Sequence, residues 1–325
     1  MPRAGMLRLC ALGLLVLLGA AEAGAQDYPE RAVTIVVPFP AGGATDLLAR
    51  LLAADLHDKL NQPFVIENRP GAGTTIAAAA VARAAPDGYT LMLATTSTLA
   101  ISPSVYKSIA YDPLRDFAPI ALVGTTDFVL LAHPSVPADN LVGLIALMRG
   151  KPGAMTYASA GIGTPHHLIM AMLLHMAGVT AQHVPYRGSP AALTDVLSGV
   201  VPLMMCDLMP ALPLINDAKL KVFGTALPTR SPQAPDIPTI AEAGLPGFGA
   251  GGWFSVVAPA GTPPAIIDKL NRVMIAYLGE HGVADKLASL GMRPLVSTPE
   301  ELGRYIVSER AKWAAIAAEA GITPQ

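Results

Sequence analysis

The segment from residue 33 to residue 56 does most to limit the folds open to this chain. Its sequence, VTIVVPFPAGGATDLLARLLAADL, starts with a short apolar run, passes through a turn rich in Pro and Gly, and continues with leucines at helical spacing. The pattern predicts a buried strand at 33–37, a turn at 38–43, and a helix with Thr45 as its N-cap and Asp46 in its first turn. A strand that feeds a helix in this way is typical of α/β proteins.

The rest of the chain repeats this alternation, which predicts an α/β fold with mostly parallel sheets. Cap and proline signals place several helices: one begins at Ser189-Pro190 and ends at Gly199, and another begins at Thr262-Pro263. Thr298-Pro299-Glu300-Glu301 predicts a capping box that opens a last helix, which ends at Gly321 with Trp313 facing inward. The predicted strands are 33–37, 64–67, 90–94, 120–123, 129–132, 155–158, 183–186, 202–206 and 221–225.

Targeting signals at the N-terminus predict export. Arg3 and Arg8 precede the apolar run 9–18, and Ala23-Gly24-Ala25 is a typical cleavage site, so residues 1–25 are predicted to be a signal peptide that directs the chain to a bacterial periplasm. No later run is long enough to predict a membrane span. Cys10 would be removed with the signal peptide, and Cys206, in an apolar run, is expected to be a buried, inert thiol.

Two places in the chain predict a crossing between domains. One lies near 123–127, where the polar residues Gly124-Thr125-Thr126 stand between two predicted strands, and the other is the Pro- and Gly-rich stretch 228–252. The predicted domains are therefore a discontinuous lobe 1 (26–124 with 250–325) and a continuous lobe 2 (125–249). The formal net charge of −2 gives no basis for binding nucleic acid or an anionic membrane surface.

Two glycine turns could each hold an anion. In the first, Gly42 and Gly43 lead into a helix whose initial N–H groups have no partners within the helix and favour negative charge; the alternative is a turn that is only structural. In the second, YASAGIGTPHH (157–167), Ser159 and Thr164 add hydroxyl groups next to a second helix start. Two such turns in two domains predict a carboxylate ligand between them.

Other reactive side chains give weaker indications. The spacing of the second turn is neither that of a nucleophile elbow nor that of a dinucleotide fingerprint, and Ser159 has no evident base and acid partners. The histidines His166, His167 and His175 lack metal-ligand spacing. Arg187 either touches a carboxylate or lies on a solvated rim, and Asp207 either receives an ammonium group or holds a loop.

Motifs along nearly the whole mature chain resemble the substrate-binding proteins of tripartite tricarboxylate transporters, the Bug or TctC-like family. They include VVPFPAGGATD (36–46), ENRPGAG (67–73), APDGYTL (85–91), YDPLRDFAPI (111–120), YASAGIGTPHHL (157–168), HVPYRGSPAALTDVLSG (183–199) and RSPQAPDIPTIAEAGLPG (230–247). The resemblance implies a two-lobed type II periplasmic-binding-protein fold with the ligand cleft between the lobes. It implies ligand contacts from these residues: Phe39, Pro40, Ala41, Gly42, Gly43, Thr45, Asp46, Ser159, Gly161, Gly163, Thr164, His167, Arg187, Gly188 and Asp207.

The chain also departs from the family pattern at three places. Thr74-Thr75 follows ENRPGAG where the family usually shows further glycines, Thr164-Pro165 replaces a more usual Ser without Pro, and PYRG replaces PYKG. These differences concern the identity of the ligand more than the fold.

The leading functional hypothesis is a periplasmic solute-binding protein that captures a small organic carboxylate: a di- or tricarboxylate, an acidic amino acid or an aromatic carboxylate. It would present this ligand to the membrane permease subunits of a tripartite tricarboxylate transporter, act as a monomer, and need no cofactor or metal. The alternatives are an exported sensor that signals to a membrane partner and a periplasmic hydrolase that uses Ser159 or His167.

Overall fold

The computed structural model describes residues 28–322 and residue 324, so the predicted signal peptide lies outside the described residues. The described chain forms a two-lobed α/β protein with one sheet in each lobe. Within these residues, no helix has both the length and the apolar character needed to cross a membrane. The strands are β1 (Val33–Val37), β2 (Phe64–Asn68), β3 (Thr90–Thr95), β4 (Phe117–Thr126), β5 (Phe128–Ala132), β6 (Thr156–Ser159), β7 (Gln182–Pro185), β8 (Leu203–Asp207), β9 (Lys221–Thr225), β10 (Gly252–Pro259) and β11 (Met292–Arg293).

Helices follow most of the strands and cover the sheets. They are α1 (Ala44–Leu60), α2 (Thr75–Val81), α3 (Ser102–Val105), α4 (Leu141–Gly150), α5 (Pro165–Ala177), α6 (Ser189–Leu197), α7 (Leu208–Asn216), α8 (Pro264–Leu278), α9 (Val283–Ser289) and α10 (Pro299–Glu319). A 3₁₀ turn (Ala72–Thr74) precedes α2, and a π-helical turn (Ser97–Ile101) precedes α3.

The first sheet has the strand order β11-β4-β10-β3-β1-β2, and the second has the order β7-β6-β8-β5-β9. The chain passes from the first sheet to the second at Asp127, the single residue between β4 and β5. It returns through residues 226–251, which contain no named helix or strand. Strands β1, β2 and β3 run parallel, as do β6, β7 and β8, so the loops that follow them gather at one edge of each sheet.

The prediction of mostly parallel sheets is wrong in one respect, because both sheets are mixed. Strand β10 runs antiparallel to β3 and β4, and β5 runs antiparallel to β8 and β9. Both of these strands lie where the chain changes lobe, and the direction in which the chain enters the new sheet sets their orientation. The sequence analysis did not predict β10 or β11 as strands. It also placed Gly124-Thr125-Thr126 between two strands, whereas Thr125 and Thr126 pair with Trp253 and Gly252 inside β4.

Most predicted helix ends are correct to within one or two residues. The capping box at Thr298 is present, with the Glu301 N–H donating to the Thr298 hydroxyl and Glu301 accepting in return from the Thr298 N–H. The expected N-cap Ser189 is instead the first helical residue, since Gly188 holds the cap position with a φ of 121°. Likewise Pro263, rather than Thr262, caps α8.

One hydrophobic cluster contains residues of both lobes. It joins Met92 and Leu99 of lobe 1 to Leu168 and Met205 of lobe 2, and α10 contributes Trp313, which is fully buried as predicted. Two further clusters pack the other face of the first sheet and of the second sheet. Cys206 belongs to the last of these as a buried free thiol, as expected, and burial raises its pKa.

Candidate functional site

The first loop (residues 39–46) connects β1 to α1 at the carboxyl edge of the first sheet. Gly42 has a φ of 85°, a conformation that favours glycine, whereas Gly43 is extended and is the N-cap of α1. The prediction that Thr45 caps this helix is therefore wrong. The helix begins at Ala44, so Gly43 is its N-cap and Thr45 is already inside the first turn. Residues 40–44 are exposed, so the start of α1 is open to a ligand.

Asp46 lies in the first turn of α1 as predicted, but its carboxylate is occupied within the protein. Only 1% of the residue is exposed. Its oxygens accept hydrogen bonds from the Gly42 N–H (2.9 Å), the Arg50 guanidinium (2.9 and 3.2 Å) and the Asn68 amide (3.0 Å). Burial raises its pKa, but these donors outweigh burial and hold the pKa at about 2. In this conformation Asp46 and the Gly42 N–H therefore shape the loop, and Gly43 and Ala44 begin the surface open to a ligand.

Asn68 joins the first loop to the segment that follows β2. Its amide donates to the Phe39 carbonyl (3.0 Å) as well as to Asp46. The sequence analysis did not single out Asn68 or Arg50, although the spacing of four residues between Asp46 and Arg50 on one helix is a signal that could have identified the pair.

The second loop (residues 159–164) connects β6 to α5 at the corresponding edge of the second sheet. Thr164 is the N-cap and Pro165 the first helical residue, as predicted. The Thr164 hydroxyl does not cap the helix, since it donates to the Gly161 carbonyl at 2.7 Å. Gly161 and Gly163 have φ values of 131° and 74°, so glycine suits both positions.

Below the second loop, a stack of aromatic rings holds Ser159 in place. The Ser159 hydroxyl lies 2.6 Å from Nε2 of His183, and it accepts from the Gly161 N–H at 3.1 Å. The rings of His183 and His167 stack with centroids 4.0 Å apart, and the Tyr157 ring lies nearly parallel to both, with centroid distances of 5.0 Å to His183 and 6.5 Å to His167. Burial lowers the pKa of His183 to about 4; burial, together with the neighbouring His183, lowers that of His167 to about 3.

The pairing of Ser159 with His183 supplies a base that the sequence analysis did not identify, but the arrangement does not suit a nucleophile. Ser159 has no exposed surface, so a substrate carbonyl could not reach its hydroxyl in this conformation. Both imidazoles remain neutral near pH 7, because their pKa values lie well below that pH. Their role visible in the structure is to support the second loop from below.

Two further predicted residues, Arg187 and Asp207, follow β7 and β8 at the same edge as the second loop. Arg187 is exposed, and the Tyr186 N–H next to it donates to the Ser159 carbonyl, so this turn adjoins the second loop. The Asp207 carboxylate lies 3.0 Å from Nε2 of His166, and its side chain is 31% exposed. Burial raises the pKa of Asp207, but His166 and the Ser189 hydroxyl outweigh it and the pKa is lowered. Asp207 thus contacts the neighbouring His166 side chain.

Tyr106, which the sequence analysis missed, connects the loops of the two lobes. A Cβ built on Gly73 would overlap its ring, and a Cβ built on Gly163 would lie 3.4 Å from its Cε2 atom. The ring therefore rests on the segment after β2 in lobe 1 and on the second loop in lobe 2. Asn68 links that segment to Phe39, which completes a line of contacts from the first loop to the second. Among the described residues, no group of three His, Cys, Asp or Glu side chains could hold a metal ion.

Comparisons with known proteins identify the family and the fold. Residues 48–322 match the model of the tripartite tricarboxylate transporter family receptor, TctC. Protein BugT of Bordetella pertussis is 38% identical over 316 residues, which cover 96% of this chain and 97% of that protein. This family consists of periplasmic solute-binding receptors and not of enzymes.

Solved structures show the same fold. Rpa4515 of R. palustris, determined with adipate, has a TM-score of 0.86 and 37% sequence identity, with 92% of this chain and 100% of that chain covered. MatC (Rpa3494) of Rhodopseudomonas palustris, with bound malate, has a TM-score of 0.80 and 35% identity, with 89% and 99% covered. The fold is therefore the two-lobed periplasmic-binding fold with a cleft between the lobes.

Proposed function

We propose that this chain, which belongs to the tripartite tricarboxylate transporter receptor family, captures a small organic dicarboxylate between its two lobes and presents it to the membrane permease subunits of a transporter. The observation that carries the proposal is the placement of two glycine-containing loops, one in each lobe, directly before α1 and α5. Both loops follow parallel strands, at the sheet edge where α/β proteins bind ligands.

Backbone groups at the two helix starts support recognition of carboxylates. Helix α1 has 17 residues and α5 has 13, so each carries a full dipole whose positive end favours an anion. A ligand with a carboxylate at each end would meet one helix start in each lobe. This arrangement favours a ligand with a carboxylate at each end over an aromatic monocarboxylate, which the sequence alone also allowed.

The charged side chains near the loops support the same ligand class. Asp46 is paired with the Arg50 guanidinium, so its carboxylate does not oppose an anion strongly, and the Asp207 carboxylate accepts a contact from Nε2 of His166 at 3.0 Å. Arg187 is exposed and forms no ion pair within the part of the chain that the structure describes. We propose that Arg187 contacts one ligand carboxylate, and that Phe39, Pro40, Ala41, Gly43, Thr45, Gly161, Gly163, Thr164, His167 and Gly188 line or support the site.

The relatives make dicarboxylates the first ligands to test, because one solved neighbour holds adipate and another holds malate.

We further propose export to the periplasm through residues 1–25, with cleavage near Ala25, and a monomeric receptor. Its lobes would comprise 26–124 with 250–325 and 125–249.

The experiment is calorimetric titration of the mature protein with adipate and with malate, compared with the uncharged dimethyl ester of adipate. We expect the free acids to bind and the ester not to bind, because the ester offers no charge to the helix starts. Binding of the ester as tightly as of the acid, or of neither acid, would contradict the proposal.

A pair of glycine variants tests the first loop itself. Gly43→Val places a side chain over the exposed start of α1. It should cause no backbone strain, because Gly43 has an extended backbone and the atom nearest to a Cβ built there, the Pro40 carbonyl oxygen, lies 3.8 Å away. We expect about a tenfold weaker affinity, which corresponds to the loss of roughly one charge-assisted hydrogen bond. Gly150→Val is the matched control, because a Cβ there meets nothing within 4 Å and the position lies at the end of α4. Equal affinities of the two variants would argue against a ligand site at the start of α1.

A further inference from the structure

The ring of Tyr106 occupies the space between the two lobes beside the second loop. Tyr106 directly follows α3, and its N–H donates to the Ser102 carbonyl at 3.1 Å. A Cβ built on Gly73 would overlap the Tyr106 hydroxyl and lie 2.9 Å from Cε2 and 3.0 Å from Cζ. A Cβ built on Gly163 would lie 3.4 Å from Cε2. Both glycines therefore leave room for this one ring.

The lobe 1 side of this contact is held in an unusual backbone conformation. Ala72 and Thr74, on either side of Gly73, have backbone φ values of 44° and 83°, which residues other than glycine rarely adopt. The Ser102 hydroxyl donates to the Gly73 carbonyl at 2.9 Å, and the Thr75 hydroxyl donates to the Ala72 carbonyl at 2.8 Å. Ser102 thus ties the segment to α3, which Tyr106 directly follows.

The lobe 2 side is the second loop, which the proposed function places against the ligand. Val105 limits its approach as well, because a Cβ on Gly163 would lie 2.9 Å from Cγ2 of Val105, and Val105 is fully buried. Removal of the Tyr106 ring alone would therefore not let the second loop move closer to lobe 1. It would leave an opening between Gly73 and Gly163.

We propose that Tyr106 is a positioning residue that limits the length of the ligand: its ring closes one end of the cleft and restricts it to short dicarboxylates. This inference rests on the proposed function. A residue that only fills the hydrophobic core would contribute to stability and leave the ligand preference unchanged, so the ratio of affinities for long and short ligands separates the two roles.

The first test is calorimetric titration of the wild type, Tyr106→Phe and Tyr106→Ala with succinate, glutarate, adipate and suberate. We expect Tyr106→Ala to raise the affinity for suberate relative to succinate by about tenfold. This is the change in discrimination that one methylene group accommodated in an apolar pocket can produce. Tyr106→Phe keeps the ring and should retain the wild-type ratio. A wild-type ratio in Tyr106→Ala would overturn the inference while leaving the proposed function intact. If the wild type bound none of the four acids, the proposed function itself would fall.

The second test displaces the ring without removing it. Gly73→Ala should weaken adipate binding by about tenfold, since the new methyl group overlaps the Tyr106 ring and pushes it into the cleft. In the double variant with Tyr106→Ala this loss should disappear. Gly178→Ala is the matched control: its φ of 62° is close to the 57° of Gly73, but nothing lies within 4 Å of a Cβ built there. An effect of Gly73→Ala that persists in the double variant, or that equals the effect of the control, would contradict a role for the ring.

Discussion

Among single residues, Asp46 does most to shape the first loop. One buried carboxylate joins the turn at Gly42, the helix through Arg50 and the neighbouring strand β2 through Asn68. A carboxylate next to a helix start would repel an anionic ligand if it were unpaired, and the Arg50 guanidinium removes most of that repulsion. This pairing with Arg50 allows the acidic Asp46 to lie beside the proposed anion site.

Replacement of Asp46 by Asn should lower the free energy of unfolding by about 2 kcal/mol near neutral pH, the usual contribution of hydrogen bonds to a charged group. The folded-state pKa of about 2 lies below the unperturbed 3.8. The stabilising effect is therefore present above about pH 4 and is lost as the pH falls toward 2. Urea denaturation of both proteins across this range should show the difference closing at acid pH.

Asp58→Asn is the control for this experiment, since Asp58 is exposed on the same helix. We expect its free energy of unfolding to stay within about 0.5 kcal/mol of the wild type. A difference between wild type and Asp46→Asn that does not depend on pH would contradict the role assigned to the charge.

At the scale of elements, the stack of Tyr157, His183 and His167 couples β6, β7 and the start of α5 beneath the second loop. The folded pKa values of about 3 and about 4 lie below the unperturbed 6.5, so both imidazoles take up protons when the chain unfolds. Stability should therefore fall as the pH falls from about 6.5 to about 4.

A His167→Phe variant tests this coupling, because phenylalanine keeps a ring in the stack but does not titrate. At pH 5 we expect unfolding of the variant to take up about one proton fewer than unfolding of the wild type, measured from the slope of the unfolding free energy against pH. Tyr157→Phe changes the third ring of the stack without changing either imidazole and should retain the wild-type slope. Identical slopes for the wild type and His167→Phe would show that His167 does not titrate as inferred.

Local sequence patterns predicted the strands and helix starts that are determined by hydrophobic spacing and helix-capping residues. Strand β1, the capping box at Thr298 and the Thr164-Pro165 helix start follow from hydrophobic period and cap chemistry, and the structure shows all three. Strand β10 was missed because it is buried along its whole length and follows glycines, so it shows no alternation that the pattern could reveal.

The residues of the candidate site also fall into two groups: those that a local sequence pattern predicts and those that it does not. The two glycine loops were evident from the sequence, since each follows a strand and opens a helix. Tyr106 and His183 were not, because their roles arise from contacts with Gly163 and Ser159 that are distant in sequence. No local rule assigns Asp207 to His166 either, since 41 positions separate them.

In the whole molecule, the lobes are joined on one side of the cleft. The chain crosses at Asp127, whose carboxylate accepts from Arg293 at 2.9 Å, and α10 packs against both β4 and α5. Glu309 on α10 accepts from the indole N–H groups of Trp253 and Trp313, both at 2.9 Å, and so ties α10 to the strand on which the chain returns. If this shared core stays fixed, the lobes would separate at the face that carries the two glycine loops, as in hinge motion.

At Gly163 the second loop lies close to Val105 and Tyr106 of lobe 1, and we expect this close approach to be part of the closed arrangement of the lobes. Small-angle X-ray scattering should show a smaller radius of gyration when saturating adipate is added to the wild type, because the proposed ligand would contact both lobes. In Gly163→Ala the added methyl group would lie 2.9 Å from Val105 Cγ2, so we expect little or no compaction. Gly282→Ala is the matched control, since its φ of 80° resembles the 74° of Gly163 but nothing lies within 4 Å of its Cβ. If adipate compacted Gly163→Ala as fully as Gly282→Ala, the contact between Gly163 and lobe 1 would not be part of the closed state.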